Sequence, residues 1–138
     1  MVQVINHHSR LRFSRSETQR VVRSVLRRES KHLSSVSVVF VGSRFIRRIN
    51  RDFLGHDDIT DVISFPLQDG LGVDAELYIN LERAKSQARE YNVKFKDEVL
   101  RLVIHGTLHV LGYDDTTKKA KQRMRRREDF YLTRLSKG

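Results

Sequence analysis

The sequence contains no cysteine, which excludes disulfide bonds, thiolate nucleophiles and cysteine-based zinc sites. It also lacks any apolar run near the roughly 18 residues that a membrane-spanning helix needs. The first residues, MVQVINHHSRLRFSRSE, hold no continuous apolar stretch of the kind found in secretory signals. We therefore expect a protein that makes no membrane contact and is located in the cytoplasm.

Proline and glycine are scarce, with one proline and seven glycines spread singly along the chain. No segment is typical of a linker or a domain boundary. A length of 138 residues suits one hydrophobic core, and a mean hydropathy of −0.52 with 38% apolar residues is typical of a globular fold. The sequence therefore predicts a single domain over residues 1–138.

Acidic residues are outnumbered, and the formal net charge is +10. Residues 10–31 carry eight basic and two acidic side chains, and residues 117–138 carry nine basic and two acidic ones. Residues 50–80 are the reverse, with one basic and seven acidic side chains. The basic excess thus lies at the two ends of the chain. One basic run is usually only a solvated face, but two on a small domain favour a surface that binds a polyanion such as a nucleic acid.

The hydrophobic periodicity predicts an α+β fold, in which a small mixed sheet of about four strands is covered by about five helices. The predicted strands are Val2–Ile5, Val36–Val41, Asp61–Phe65 and Asp74–Asn80, and the predicted helices begin near Arg15, Ser43, Leu81, Lys94 and Thr117. The first helix is expected to reach Lys31. Pro66 is expected to end the third strand, because it has no N–H for the ladder. Phe53 is expected on the apolar face of the second helix.

A candidate metal site lies in the run HGTLHVLGYDD, from His105 to Asp115. His105 and His109 are four residues apart, so on a helix they project from one face and can bind one metal ion. The chain then turns at Gly112, which can bring Asp114 or Asp115 towards the same ion. Two histidines and a carboxylate leave a position open for water, as in catalytic zinc sites. A histidine pair at this spacing can also be incidental.

Gly106 follows the first of these histidines. Zinc metalloproteases carry glutamate at that position, in H-E-x-x-H, where it serves as the general base. The sequence therefore excludes a peptidase of that type.

The run HGTLHVLGYDD resembles the signature of the YbeY-type endoribonucleases, the rRNA maturation factors, whose pattern is close to H-G-x-L-H-L-x-G-Y-D-H. Two earlier segments, NRDFLGHDDITDVISFP and AELYIN, also resemble that family, in the same order. The resemblance implies one α+β domain with one zinc ion held by three residues of the signature. It further implies cleavage of single-stranded RNA, maturation of the 3′ end of small-subunit ribosomal RNA, and ribosome quality control.

Two positions depart from the family pattern. His105 and His109 match the first two zinc ligands, but Asp115 stands where the family has a third histidine. A carboxylate can take that place, so we expect zinc binding with altered affinity. Leu54 stands where the family has an arginine, and Arg51, one helical turn earlier, is a candidate replacement for contacting the phosphate. Asp61 and Asp114 are candidates for a general base.

The expected partners are ribosomal RNA and the small ribosomal subunit, with no small-molecule cofactor and a monomeric chain. Arg44, Arg47 and Arg48 are predicted to contact RNA phosphates together with the basic terminal helices. Two alternatives remain open. One is a ribosome-assembly factor that binds RNA through a structural zinc and has little cleavage activity, which the missing arginine favours. The other is a metal-dependent hydrolase of a small phosphorylated substrate, which the positive charge disfavours.

Overall fold

The computed structural model describes residues 1–29, 33–67 and 73–135. Within these ranges the chain forms four strands and five helices, which confirms the predicted α+β class. In chain order the elements are β1 (Val2–Asn6), α1 (Arg15–Arg28), β2 (Leu33–Val41), α2 (Ser43–Leu54), β3 (Val62–Leu67), β4 (Val73–Asn80), α3 (Leu81–Glu90), α4 (Phe95–Val110) and α5 (Lys118–Leu135).

The strands form one mixed sheet in the order β1-β2-β4-β3. β2 pairs in parallel with both β1 and β4, whereas β3 runs antiparallel to β4 at the edge. β2 is rich in β-branched apolar residues, as expected for a strand covered on both faces, whereas β4 alternates apolar residues with Asp74, Glu76 and Tyr78.

The two faces of the sheet are covered by different helices. Val38 and Phe40 of β2 point into the main core, which also contains the buried residues of α1 and α4. Val39 and Val41, which alternate with them, pack instead with Ile46 of α2. Since neighbouring residues of a strand point to opposite faces, α2 and α4 lie on opposite faces of the sheet.

The helix ends follow the sequence signals. Ser14 Oγ accepts a hydrogen bond from the backbone N–H of Glu17 at 3.2 Å at the start of α1. The Asn80 carboxamide oxygen accepts from Glu82 N–H at 3.0 Å and Arg83 N–H at 3.1 Å, and so caps α3. Gly112, just beyond α4, has φ of 106°, a conformation that favours glycine.

Two local predictions are wrong. Pro66 does not end the third strand but lies inside β3, opposite Ala75; because β3 is an edge strand, a residue without an N–H is tolerated there. Phe53 is 73% exposed instead of buried, in the last turn of α2. Lys31 and the predicted turn at Gly70–Gly72 lie outside the described residues. None of the described helices is long and apolar enough to cross a membrane.

The two basic ends of the chain meet in the fold. An Arg20 guanidinium N–H donates to the carbonyl of Leu135 at 2.7 Å, which ties α1 to the end of α5. Glu29, just after α1, accepts from Arg127 at 2.5 Å and from the Tyr131 hydroxyl, both on α5. The exposed basic residues of the two helices are Arg15, Arg23, Arg27, Arg28, Lys118, Lys119, Lys121, Arg123, Arg125, Arg126 and Arg134.

Candidate active site

A cavity of about 350 Å³ opens between α4, α3 and α5, on the face of the sheet that α4 covers. One stripe of α4 provides Glu98, Arg101 and His105, spaced three and four residues apart and therefore on one side of the helix. The described residues that line the cavity are Asp61, Val62, Gln87, Tyr91, Glu98, Arg101, Leu102, His105, Asp115, Lys121, Met124, Arg125 and Glu128. Predicted residues His105, Asp61 and Asp115 therefore share one cavity.

Close packing of α4 on the sheet positions this stripe. A Cβ atom added at Gly106 would lie 3.3 Å from side-chain atoms of Leu77, Ser64 and Val62. The Ser64 hydroxyl also donates to the Gly106 carbonyl, at 3.4 Å. Glycine therefore lets the helix approach β3 and β4 closely, directly beside His105.

The His105 ring is fixed by Glu128 of α5. Its Nδ1 lies 2.7 Å from Glu128 Oε2, and because a carboxylate only accepts, Nδ1 carries the proton. Nε2 then faces Asp115 Oδ2 at 3.7 Å. Burial lowers the pKa of His105, but the hydrogen bond and charge of Glu128, with the charges of Asp115 and Asp61, outweigh burial and raise it. Glu128 therefore sets which nitrogen His105 presents.

Glu128 has a second partner on α4. Its Oε1 accepts from Arg101 Nη1 at 2.9 Å, while Arg101 Nη2 donates to Asp129 Oδ1 at 2.7 Å. The Glu128 side chain is only 7% exposed. Burial lowers the pKa of Arg101, and the hydrogen bonds to Asp129 and Glu128 outweigh this and raise it. Arg101 thus compensates the charge of the carboxylate that holds His105.

The sequence reasoning missed Glu128, Arg101, Glu98 and Gln87. A signal for Glu128 exists, because it lies between Met124 and Tyr131 at helical spacing, on the stripe that α5 buries. An acidic residue on a buried stripe needs a partner inside the protein, and here the partners are the two α4 side chains.

The other signature residues are held less firmly. His109 is exposed, and its ring lies parallel to that of His105 within 7°, with the ring centroids 6.4 Å apart. Asp114 Oδ1 accepts from the backbone N–H and the hydroxyl of Thr116, both at 3.3 Å, and so closes the turn after α4. Asp114 does not line the main cavity and borders a separate one with Tyr113 and Lys119.

Asp61 also lines the cavity, and its charge contributes to raising the pKa of His105. Its Oδ2 accepts from Gln87 Nε2 at 3.2 Å, and its Oδ1 lies 3.5 Å from the Thr60 hydroxyl. Of the two candidate bases, the structure therefore brings Asp61, and not Asp114, into the cavity with His105.

The predicted arginines lie elsewhere, on α2 and so on the other face of the sheet. Arg51 is exposed and its Nε lies 3.5 Å from Asp52 Oδ1, so the structure does not bring it to His105. Arg47 forms two hydrogen bonds with Asp57, at 2.8 and 3.1 Å. Arg44 and Arg48 line a surface cavity with His7, His8 and Gly42.

The chemistry of His105, His109 and Asp115 fits a zinc ion, since two imidazole nitrogens and one carboxylate form a known catalytic ligand set. Two of them are already close, through His105 Nε2 and Asp115 Oδ2. Across the described ranges, no three His, Asp or Glu side chains form a complete ligand arrangement. Within the same ranges no hydrogen bond holds the His109 side chain, which leaves it able to turn.

Comparison with known proteins identifies the family of this chain. The model of the family described as Endoribonuclease YbeY matches residues 3–136. The chain belongs to this family. An Endoribonuclease YbeY of Chlorobaculum tepidum is 48% identical over 115 residues, covering 83% of this chain and 84% of the relative. That of Chlorobium phaeovibrioides is 39% identical over 134 residues, covering 97% and 90%.

A solved structure supports the fold as well. The solution structure of TM1509 from Thermotoga maritima matches with a TM-score of 0.65 at 28% identity, covering 98% of this chain and 89% of that one. Membership of the YbeY family confirms the predicted resemblance and the prediction of a nuclease, a hydrolase that acts on phosphodiester bonds.

Proposed function

We propose that this YbeY family member is a zinc-dependent endoribonuclease that cleaves single-stranded RNA. The observation that carries the proposal is the arrangement of His105, whose Nδ1 is held by Glu128 while Nε2 faces Asp115 inside a cavity. The relatives named endoribonuclease supply the substrate class. The proposed cellular roles are maturation of ribosomal RNA, including the 3′ end of the small-subunit RNA, and ribosome quality control, in the cytoplasm and as a monomer.

The exposed cations provide the surface for the RNA backbone. Lys121 and Arg125 of α5 stand at the cavity itself, and the remaining basic residues of α1 and α5 extend from there. Such contacts neutralise phosphates without reading sequence. A single strand lying along this surface has its backbone beside the cavity that contains His105.

His105, His109 and Asp115 would hold the metal ion. Zinc bound by these residues would supply Lewis-acid chemistry for the phosphodiester. Glu128 keeps Nδ1 of His105 protonated and so leaves Nε2 as the ligand atom. Asp61 is the carboxylate placed to take a proton, because it lines the cavity, while Asp114 is bound to Thr116.

The proposal is tested by measuring metal and cleavage together. Wild-type protein should contain about one zinc per chain, and His109→Ala and Asp115→Ala should contain much less. Cleavage of a single-stranded RNA should stop on chelation and return when zinc is added. His56→Ala, which changes an exposed histidine remote from the signature, should behave as wild type when purified in the same way, which excludes a contaminating nuclease.

The same experiment separates the alternative function. A ribosome-assembly factor with a structural zinc would retain the metal and bind RNA but show no cleavage in any variant. The observation that favours this alternative is that Leu54 replaces the family arginine while Arg51 lies on the other face of the sheet, beside Asp52. Zinc-bound wild-type protein without cleavage would therefore overturn the enzyme proposal.

A further inference from the structure

Glu98 is a nearly buried acidic side chain that lines the cavity. It is 3% exposed and lines the cavity seven residues before His105 on α4. Among the residues that the structure describes, no donor is within hydrogen-bond distance of its carboxylate. Burial raises its pKa, and the charges of Asp61 and Glu128 raise it further against the opposing charges of Arg101 and Arg125. A nearly buried carboxylate that borders a cavity and has no internal donor can accept hydrogen bonds from a ligand in that cavity.

Gln87 provides a second acceptor in the same cavity. Its Nε2 donates to Asp61 Oδ2 at 3.2 Å, and this contact fixes the orientation of the amide. The opposite atom, Oε1, is buried and has no hydrogen-bond partner in the described part of the chain. Two acceptors, one on α3 and one on α4, therefore line the cavity without internal donors.

The two acceptors limit the chemical class of ligand that can bind in the cavity. Lys121 and Arg125 also line the cavity, but Arg101 is already bound to Glu128 and Asp129. The carboxylates of Asp61 and Glu98 repel an anion from the two acceptors. The metal ion is assigned above to His105, His109 and Asp115, which leaves Glu98 and Gln87 for another group. A neutral group that offers hydrogen-bond donors fits these two acceptors.

An RNA base meets these requirements. The cavity of about 350 Å³ admits a planar ring system, and Tyr91, which is 57% exposed, lies at its rim with an aromatic face on which a base can stack. Guanine is the base whose Watson–Crick edge presents two adjacent donors, N1–H and the 2-amino group, which match the two oxygens of a carboxylate. Adenine, cytosine and uracil each place an acceptor beside their donor.

We propose that this cavity is a base-selecting subsite, in which the Glu98 carboxylate and Gln87 Oε1 accept hydrogen bonds from an unstacked guanine of the RNA. The inference rests on the proposed function, because the cleaved strand brings the base. Seven residues of helix place Glu98 about 10.5 Å along the axis from His105. Glu98 therefore determines specificity and does not act on the reacting phosphate.

The test uses short single-stranded RNAs that differ in one central base: guanine, inosine without the 2-amino group, or adenine. Binding is measured by fluorescence anisotropy with chelator present, and cleavage is measured separately with zinc. Wild-type protein should bind the guanine oligonucleotide about 5- to 100-fold more tightly than the adenine one, the range for a bidentate base contact, with inosine between them. Glu98→Gln should lose most of this preference for guanine over adenine.

Two further variants act as controls. Glu90→Gln removes the same charge from an exposed position of α3 and should keep the guanine preference. Gln87→Met keeps the side-chain length but removes Oε1 and should reduce the preference. Equal binding of all three oligonucleotides by the wild type, or an undiminished preference in Glu98→Gln, would overturn the subsite. A guanine preference in binding without any cleavage supports the subsite and refutes only the proposed enzymatic function.

Discussion

The cavity beside α4 and the exposed face of α2 both contain charged side chains, but these differ in burial and in the number of their contacts. At the cavity, His105 and Arg101 both bind Glu128, and the Glu128 side chain is 7% exposed. On α2, the Arg47–Asp57 pair is about half exposed on both sides. Buried, connected groups have fixed geometry, whereas exposed ones keep mobile side chains and act mainly through charge.

This difference separates two tasks. Chemistry on a phosphodiester needs groups held within a fraction of an ångström, which the cavity provides through contacts between α4 and α5. Contact with the RNA backbone needs only positive charge at the right place, which α1, α2 and α5 supply on their exposed faces. Substitutions in the cavity should therefore change stability, metal binding and rate, and substitutions on α2 should change mainly salt-dependent affinity.

The largest effect is expected for Glu128→Gln. The substitution removes the charge paired with Arg101 and leaves a single side-chain oxygen to accept from both Arg101 and His105, so we expect a loss of about 2–3 kcal/mol in the free energy of unfolding. Zinc affinity, measured by competition with a chromogenic chelator, should fall about 10- to 100-fold. Asp129→Asn is the matched control, because Asp129 binds the same guanidinium from a position 57% exposed. A control variant as unstable as Glu128→Gln would refute the distinction between buried and exposed partners.

A smaller effect, of opposite sign, is expected for Glu98→Gln. Burial raises the pKa of Glu98 above its ordinary value, so the carboxyl favours the folded state only while it is protonated. Its contribution is complete below the unfolded pKa and is lost as the pH rises through the folded pKa. Thermal unfolding should therefore show the variant more stable than the wild type at pH 7, by about 1 kcal/mol, with the difference disappearing near pH 4. A variant less stable at pH 7 would show that the ionised carboxylate has a partner inside the protein.

For substitutions on α2, we expect RNA affinity to change only because positive charge is lost. Arg44→Ala combined with Arg48→Ala removes two exposed cations that have no ion-pair partner among the described residues. Binding of single-stranded RNA should weaken equally for all sequences, and the slope of log affinity against log salt should fall by about 0.7 for each lost phosphate contact. The melting temperature and zinc content should not change. An unchanged salt slope would mean that RNA does not reach α2.

Much of the fold could be predicted from local signals. The Ser14 and Asn80 caps, the glycine after α4 and the alternation along β4 each act within a few residues, and the structure confirms them. Pro66 was assigned wrongly because its effect depends on whether β3 is central or at an edge, which is a property of the whole sheet. Local signals do not contain that information.

The residues of the candidate site also fall into two groups, those that local sequence signals predict and those that only the packing of the helices brings together. His105, His109 and Asp115 belong to one contiguous run, so spacing and resemblance identified them. Glu128 is 23 residues from His105 and Gln87 is 26 from Asp61, and only the packing of α3, α4 and α5 brings them together. Arg51 was proposed because it lies one helical turn from Leu54, but local spacing does not show that α2 packs on the other face of the sheet from the cavity.

The smallest effects are expected for substitutions at Arg47. They test whether an arginine that is already paired with an acidic residue of the protein still contributes to RNA binding. Its two hydrogen bonds to Asp57 hold the guanidinium in place, at 2.8 and 3.1 Å, and the hydrogen bond lowers the pKa of Asp57, so the pair is fully charged at neutral pH. Arg47→Ala should then weaken RNA binding less than about twofold, which is less than the loss from Arg44→Ala.

Asp57→Asn changes the partner instead of the arginine. It should strengthen RNA binding slightly, because it removes a negative charge and frees the guanidinium for a phosphate. The double variant Arg47→Ala with Asp57→Asn should lie between the single variants, in binding isotherms recorded at two salt concentrations. If Arg47→Ala weakened binding as much as Arg44→Ala, the pair with Asp57 would open on contact with RNA. All the arginines of the α2 face would then be able to contact the RNA strand. The side chains of α2 would change partners on binding, whereas those that bind Glu128 at the cavity keep theirs.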